Sequence, residues 1–176
     1  MVNLYGHRET KFKQLKLIDS GRYSQMDDFY DGIYFLCTLI ERIGRDTKLQ
    51  RYEIVEYLNP KGVDKVIELH TTYDNLTLEQ VSHEFIEEFN IPCGNYNSIP
   101  KYLSEDCNVP SEFSIGMSLH LVLKELNVNR RNIYKLLDYV YRSKVVQKMP
   151  DYTTDIYTAS TDYLVNCIKD NKIYIM

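Results

Sequence analysis

QMDDFYDGIYFLCTLIERIG, residues 25–44, sets Phe29, Ile33, Leu36, Ile40 and Ile43 three or four positions apart, the spacing that lines one face of an α-helix. Ser24, with Asp27 three residues on, offers a capping signal for its start, and Gly44 is expected to close it. Downstream, Leu49, Ile54, Val55 and Leu58 predict a shorter helix ending at Asn59-Pro60, because the residue before a proline is pushed out of the helical region. Pro60 suits the first turn of the next helix, which carries Val63, Val66, Ile67 and Leu69 and stops at the polar Tyr73-Asp74-Asn75. Thr77 with Gln80 reads as a capping box ahead of Val81, Phe85, Ile86 and Phe89, and predicts a helix over 78–90.

Residues 92–110 hold Pro92, Gly94, Asn95, Asn97, Pro100, Asn108 and Pro110, too dense a set of turn formers for a long regular element, and are expected to be a connecting loop. Beyond it Ser111 opens a predicted helix through Ile115, Leu119, Val122, Leu123 and Leu126. Asn129 caps another through Ile133, Leu136, Leu137, Val140 and Val145, ended by Pro150. Residues 151–158 read as a short strand or a loop, Tyr163, Leu164, Cys167 and Ile168 as a last amphipathic helix, and the tail from Lys172 as a further short strand. The chain is therefore expected to be mainly α, a single domain over 1–176 and a compact bundle of about six to eight helices. At an offset of 79, Arg51, Ile54, Leu58 and Val66 match Arg130, Ile133, Leu137 and Val145, which suggests two related halves, 24–91 and 111–170, joined by the loop.

With 176 residues and 44% hydrophobic content, the chain has enough apolar surface for one core without metals or disulfides. The apolar run from Ile33 to Ile43 is interrupted by Glu41 and Arg42 and is far short of a membrane span, and Met1 to Lys16 lacks the apolar centre of a secretory signal. A cytoplasmic, non-membrane protein is expected. Cys37, Cys93, Cys107 and Cys167 are widely spaced and form no CxxC pair, so a zinc site would need His70, His83, Cys93 and Cys107 assembled from distant segments. Cys37 and Cys167 fit better as core thiols. Only seven glycines occur, none in a phosphate-loop spacing, and the four histidines carry no flanking catalytic signature. The residues therefore indicate no enzyme class and no cofactor.

The candidate sites are surfaces. Glu84, Glu87 and Glu88 share one side of a predicted helix, and Asp27, Asp28 and Asp31 cluster at the start of another; either acidic set could receive a basic partner protein. The sixteen tyrosines include Tyr134, Tyr139, Tyr141, Tyr152, Tyr157 and Tyr163 towards the C-terminus, where an aromatic contact surface would be sought first. The rival function is nucleic-acid binding. Leu126 to Leu137 reads as the turn and recognition helix of a helix-turn-helix, with Arg130, Arg131 and Lys135 placed for DNA, although bulky Leu123 stands where such motifs place a small residue. The formal charge of −4 argues against a wholly basic surface but leaves room for a local patch.

Two segments carry a family resemblance: FLCTLIERIGRDTKLQRYEIVEYLNPKGVDKVIELHTTYDNLTLEQVSHEFIEEFNI, residues 35–91, and CNVPSEFSIGMSLHLVLKEL, residues 107–126. They resemble a family of short helical bacterial domains of unknown function, common in gut bacteria and mobile elements, with an apolar helix, a Leu-His pair as at Leu69-His70, and a closing apolar helix as at Val81 to Phe89. Members are often encoded beside proteins that look like ADP-ribosyltransferase toxins. The resemblance implies an antitoxin- or immunity-like inhibitor that binds a partner protein such as a toxin, and carries over no binding residue. The leading expectation is thus a non-enzymatic protein-binding module, with helix-turn-helix DNA binding as the alternative.

Overall fold

The computed structural model describes residues 25–96, 109–152 and 154–174, and of Gln25, Met26 and Asp27 the backbone only. Its seven α-helices are α1 (Gln25–Thr47), α2 (Arg51–Leu69), α3 (Leu78–Glu88), α4 (Glu112–Glu125), α5 (Ile133–Arg142), α6 (Lys144–Lys148) and α7 (Thr161–Asp170). Two 3-10 turns, His70–Asn75 and Asp155–Thr158, join them. The chain is mainly α, as the apolar periodicity predicts, and the described residues contain no strand. Within the stretch expected to be a short strand or a loop, Asp155–Thr158 forms a 3-10 turn, and residues 172–174 are irregular.

Long α1 is the central element. It packs most extensively on α4 and α2 and also on α3; α5 lies on α2, while α7 closes against α4 and α6. Ile33, Leu36, Ile40 and Ile43, fully shielded from solvent, are the face of α1 read from the sequence, and they join Ile54, Leu58, Val122, Leu137 and Leu164 in one continuous core. The two halves of the sequence are therefore built around shared apolar side chains. Of the positions matched at the offset of 79, Ile54 and Ile133, Leu58 and Leu137, and Val66 and Val145 are buried in both halves, but Arg51 is buried where Arg130 is exposed.

Local signals behave as their chemistry requires. The Thr77 hydroxyl accepts from the Gln80 N–H at 3.2 Å while the Gln80 side chain takes the Thr77 N–H at 2.8 Å, which completes the capping box of α3. The Ser111 hydroxyl likewise accepts from the Ser114 N–H at 3.1 Å and starts α4. The break at Asn59-Pro60 is a kink rather than an end: Asn59 adopts φ 51° and ψ −179° inside the run Arg51–Leu69, and its side-chain oxygen takes the Lys61 N–H at 2.9 Å. Asparagine tolerates this left-handed φ because its short polar side chain satisfies the local backbone. Ser24, proposed as the cap of α1, lies outside the described residues.

Gly44 does not end α1, which runs on to Thr47, with Lys48 turning the chain at φ 57°. Its role is spatial, since a Cβ there would lie 2.5 Å from the Arg51 side chain. Gly116 in α4 acts similarly: a Cβ would collide with the Thr38 hydroxyl and come within 2.9 Å of the Thr38 nitrogen, so glycine lets α4 approach α1 closely. No described helix is long and apolar enough to cross a membrane.

Candidate functional site

Glu88, Glu87 and Asp28 each stand beside a basic side chain of the same fold. Glu88 pairs with Lys65 of α2, and Glu87 reaches His83 at 3.2 Å on its own helix, whereas Glu84 faces solvent. Asp28 lies 3.5 Å from Nε2 of His70, whose Nδ1–H donates to the Ile67 carbonyl at 2.8 Å; Asp31, also on α1, is half-buried. The side chain of Asp27 lies outside the described residues. Of these carboxylates, Glu88 is neutralised from within by Lys65. His70 is tied to backbone and His83 is exposed, and among the described residues no group of three or more His, Cys, Asp and Glu is placed to hold a metal ion.

The tyrosines do not assemble into one surface. Tyr141 and Tyr152 are buried, Tyr134, Tyr157 and Tyr163 are half-buried, and Tyr139 alone of this set is largely exposed, with its hydroxyl donating to the Ile168 carbonyl at 3.1 Å. Arg130 and Arg131 do not stand in the first turn of a helix. The Asn129 side-chain oxygen accepts from the Arg131 and Asn132 N–H groups at 2.9 and 3.2 Å, as a cap does, around a turn at 130–132 that precedes the regular run of α5 from Ile133. Lys135 is exposed on α5, which packs mainly against α2 rather than against α4.

Two features stand out that the sequence pattern did not disclose. The first is a buried charge network at the α1–α2 corner. Glu41 Oε2 accepts from Arg51 Nε at 2.9 Å, and Glu41 Oε1 accepts from Arg51 Nη2 at 2.9 Å, Arg45 Nε at 2.8 Å and the Tyr152 hydroxyl at 2.6 Å. Arg45 also donates to the Pro110 carbonyl at 2.8 Å and lies 3.6 Å from Glu112, which balances the second cation. Burial pushes the Glu41 carboxyl up, but Arg51, Arg45 and the Tyr152 hydroxyl together outweigh it and hold it below its ordinary value. Nearby, burial pushes the Cys37 thiol up to about 12 despite the Tyr141 hydroxyl beside it, so this thiol is no nucleophile. The network therefore holds structure: it ties α1, the start of α2, the entry to α4 and Tyr152 together.

The second feature is α4 itself. One arc of this helix, Ile115, Gly116, Leu119, Val122 and Leu123, is buried against the core. The opposite arc carries Phe113, Met117 and Leu121 at steps of four, with Met117 38% and Leu121 41% exposed. A helix apolar on both sides is normally enclosed on both sides. Beside this arc the His120 ring stands edge-on between Tyr30 and Tyr34 of α1, at centroid distances of 6.1 and 6.0 Å, with its Nδ1 buried and unpartnered. Burial lowers the His120 pKa and Lys124 adds to the effect, against the Tyr30 carbonyl, so the neutral ring is favoured. Lys124 stands over the Tyr30 ring at 5.1 Å and Arg130 over Phe29 at 5.2 Å. The signal was present in the sequence as Phe113, Met117 and Leu121, a second stripe interleaved with the one assigned to the core. Comparison with protein-family models, with curated proteins and with solved structures found no match to this chain.

Proposed function

We propose that this protein is a non-enzymatic protein-binding module that receives its partner on the outer arc of α4, and that it acts as an antitoxin- or immunity-like inhibitor. The observation that carries the docking role is the exposure of Met117 and Leu121 on a helix whose other side is already buried. Exposed apolar side chains gathered on one element, with half-buried aromatic rings alongside, have the composition of a protein contact centre. The inhibitory role comes from the resemblance of residues 35–91 and 107–126 to toxin-associated helical domains.

The test is copurification of the tagged full chain from its native host at mild salt, followed by mass spectrometry. A stoichiometric protein should accompany the wild type and be lost from Leu121→Asp. Recovery of no stoichiometric partner, or equal recovery by both, overturns the docking role; a partner with no toxic activity overturns the inhibitory one.

DNA binding is the second reading, favoured by Arg130 and Arg131, which have no carboxylate partner among the described residues. A gel shift against the protein's own promoter, scanned across salt, should show binding that falls steeply as salt rises and disappears when both arginines become alanine. Absence of binding at low salt removes this reading.

A further inference from the structure

We infer that the segment received by the α4 face is amphipathic and acidic, with apolar residues for Met117 and Leu121 and carboxylates for Lys124 and Arg130; this rests on the docking role proposed above. Among the described residues Arg42, Arg45, Arg51 and Arg142 each pair with a carboxylate, whereas Lys124, Arg130 and Arg131 have none. Of the described arginines only Arg130 and Arg131 lack a carboxylate, and with Lys124 they stand where α4 ends and α5 begins. Lys124 and Arg130 lie over the rings of Tyr30 and Phe29, which are themselves 5.7 Å apart, so both charges stand at the same end of the apolar arc. A ring face steadies a cation without using its N–H donors, which stay available to a carboxylate.

A nucleic acid fits this corner less well. Phosphates and sugars offer no cover for Met117 and Leu121, α5 begins only after both arginines, and Glu125 and Asp138 stand exposed or half-exposed on the same two helices. An acidic amphipathic segment satisfies both features at once, since apolar contacts supply the burial and opposite charge at the rim fixes the orientation.

The experiment is selection of random phage-displayed dodecapeptides on the immobilised full chain, with Leu121→Asp, Lys124→Glu and Arg130→Glu variants checked for native helix content. Selected peptides are expected to combine leucine or aromatic residues with Asp and Glu, to lose binding to Leu121→Asp, and to bind the two charge-reversed variants about tenfold more weakly. Peptides that depend on Leu121 but show no acidic bias overturn the charge assignment and leave the docking role standing. Peptides bound equally by Leu121→Asp overturn both. Displacement of the peptides by a short DNA duplex, or self-association abolished by Leu121→Asp, assigns the face to nucleic acid or to a second copy and overturns the inference.

Discussion

The α1–α2 corner and the outer arc of α4 invert the usual division of a globular protein in opposite directions. At the corner, Glu41 and Arg51 are charged and 2% and 4% exposed; on α4, Met117 and Leu121 are apolar and about two-fifths exposed. The corner is internally complete, because both Glu41 oxygens and the Arg45 and Arg51 guanidinium groups meet partners within the fold. On α4 the apolar side chains are not covered and the neighbouring cations lack carboxylates. A buried charge with all its hydrogen bonds made specifies how elements join, whereas an uncovered apolar face with unused charges points outward to another molecule.

The largest effect is expected at Glu41. Glu41→Gln leaves the Arg51 guanidinium buried without its counter-ion and should cost about 3 to 5 kcal/mol in chemical denaturation. A cost near zero would mean that the network is incidental to the fold. In acid, the same carboxylate gives a signed expectation. Its pKa is lowered in the folded state, so the unfolded chain binds the proton first; the stabilisation is complete above the ordinary carboxylate value and drains away as pH falls through it and below. Wild-type stability should therefore decline below about pH 4, with a shallower decline in Glu41→Gln.

An ordinary core residue provides the yardstick. Phe85 is 1% exposed and stacks on Phe89 with ring centroids 5.7 Å apart, so Phe85→Ala should also cost about 3 to 5 kcal/mol, against less than about 0.5 for exposed Glu87→Ala. Gly116→Ala sharpens the comparison from the inner side of α4. The added methyl meets the Thr38 hydroxyl and backbone, and the forced separation of α4 from α1 should cost about 1 to 3 kcal/mol, read in the same titration. If that change is silent, the helix is less tightly seated on α1 than the inner arc implies.

Local periodicity made most of the fold legible. Helices α1, α3 and α4 follow from apolar spacing, the last two with the caps expected for them, and Val81 and Phe85 are buried as expected, with Ile86 and Phe89 half-buried at the helix end. Where the reading missed, the cause lay in distance. Glu41 meets Arg51 ten residues on and Tyr152 across 111 residues, and no window along the chain brings these together, so Glu41 and Arg42 read only as interruptions of an apolar run. Asn129 makes the capping bonds expected of it, but around a single turn at 130–132 ahead of α5, so both arginines stand before the regular helix. The outer stripe of α4 was visible but ambiguous, since composition alone does not say which of two apolar arcs faces the core.

Chemical denaturation of Leu121→Asp beside the wild type decides which arc of α4 belongs to the core. The outer arc is held to be a surface for another protein and no part of the fold's own core, so the two midpoints should agree to within about 0.5 to 1 kcal/mol. A loss of about 3 kcal/mol or more, the scale of a disrupted core position, would show that Leu121 supports the fold itself and that the outer arc is no docking surface.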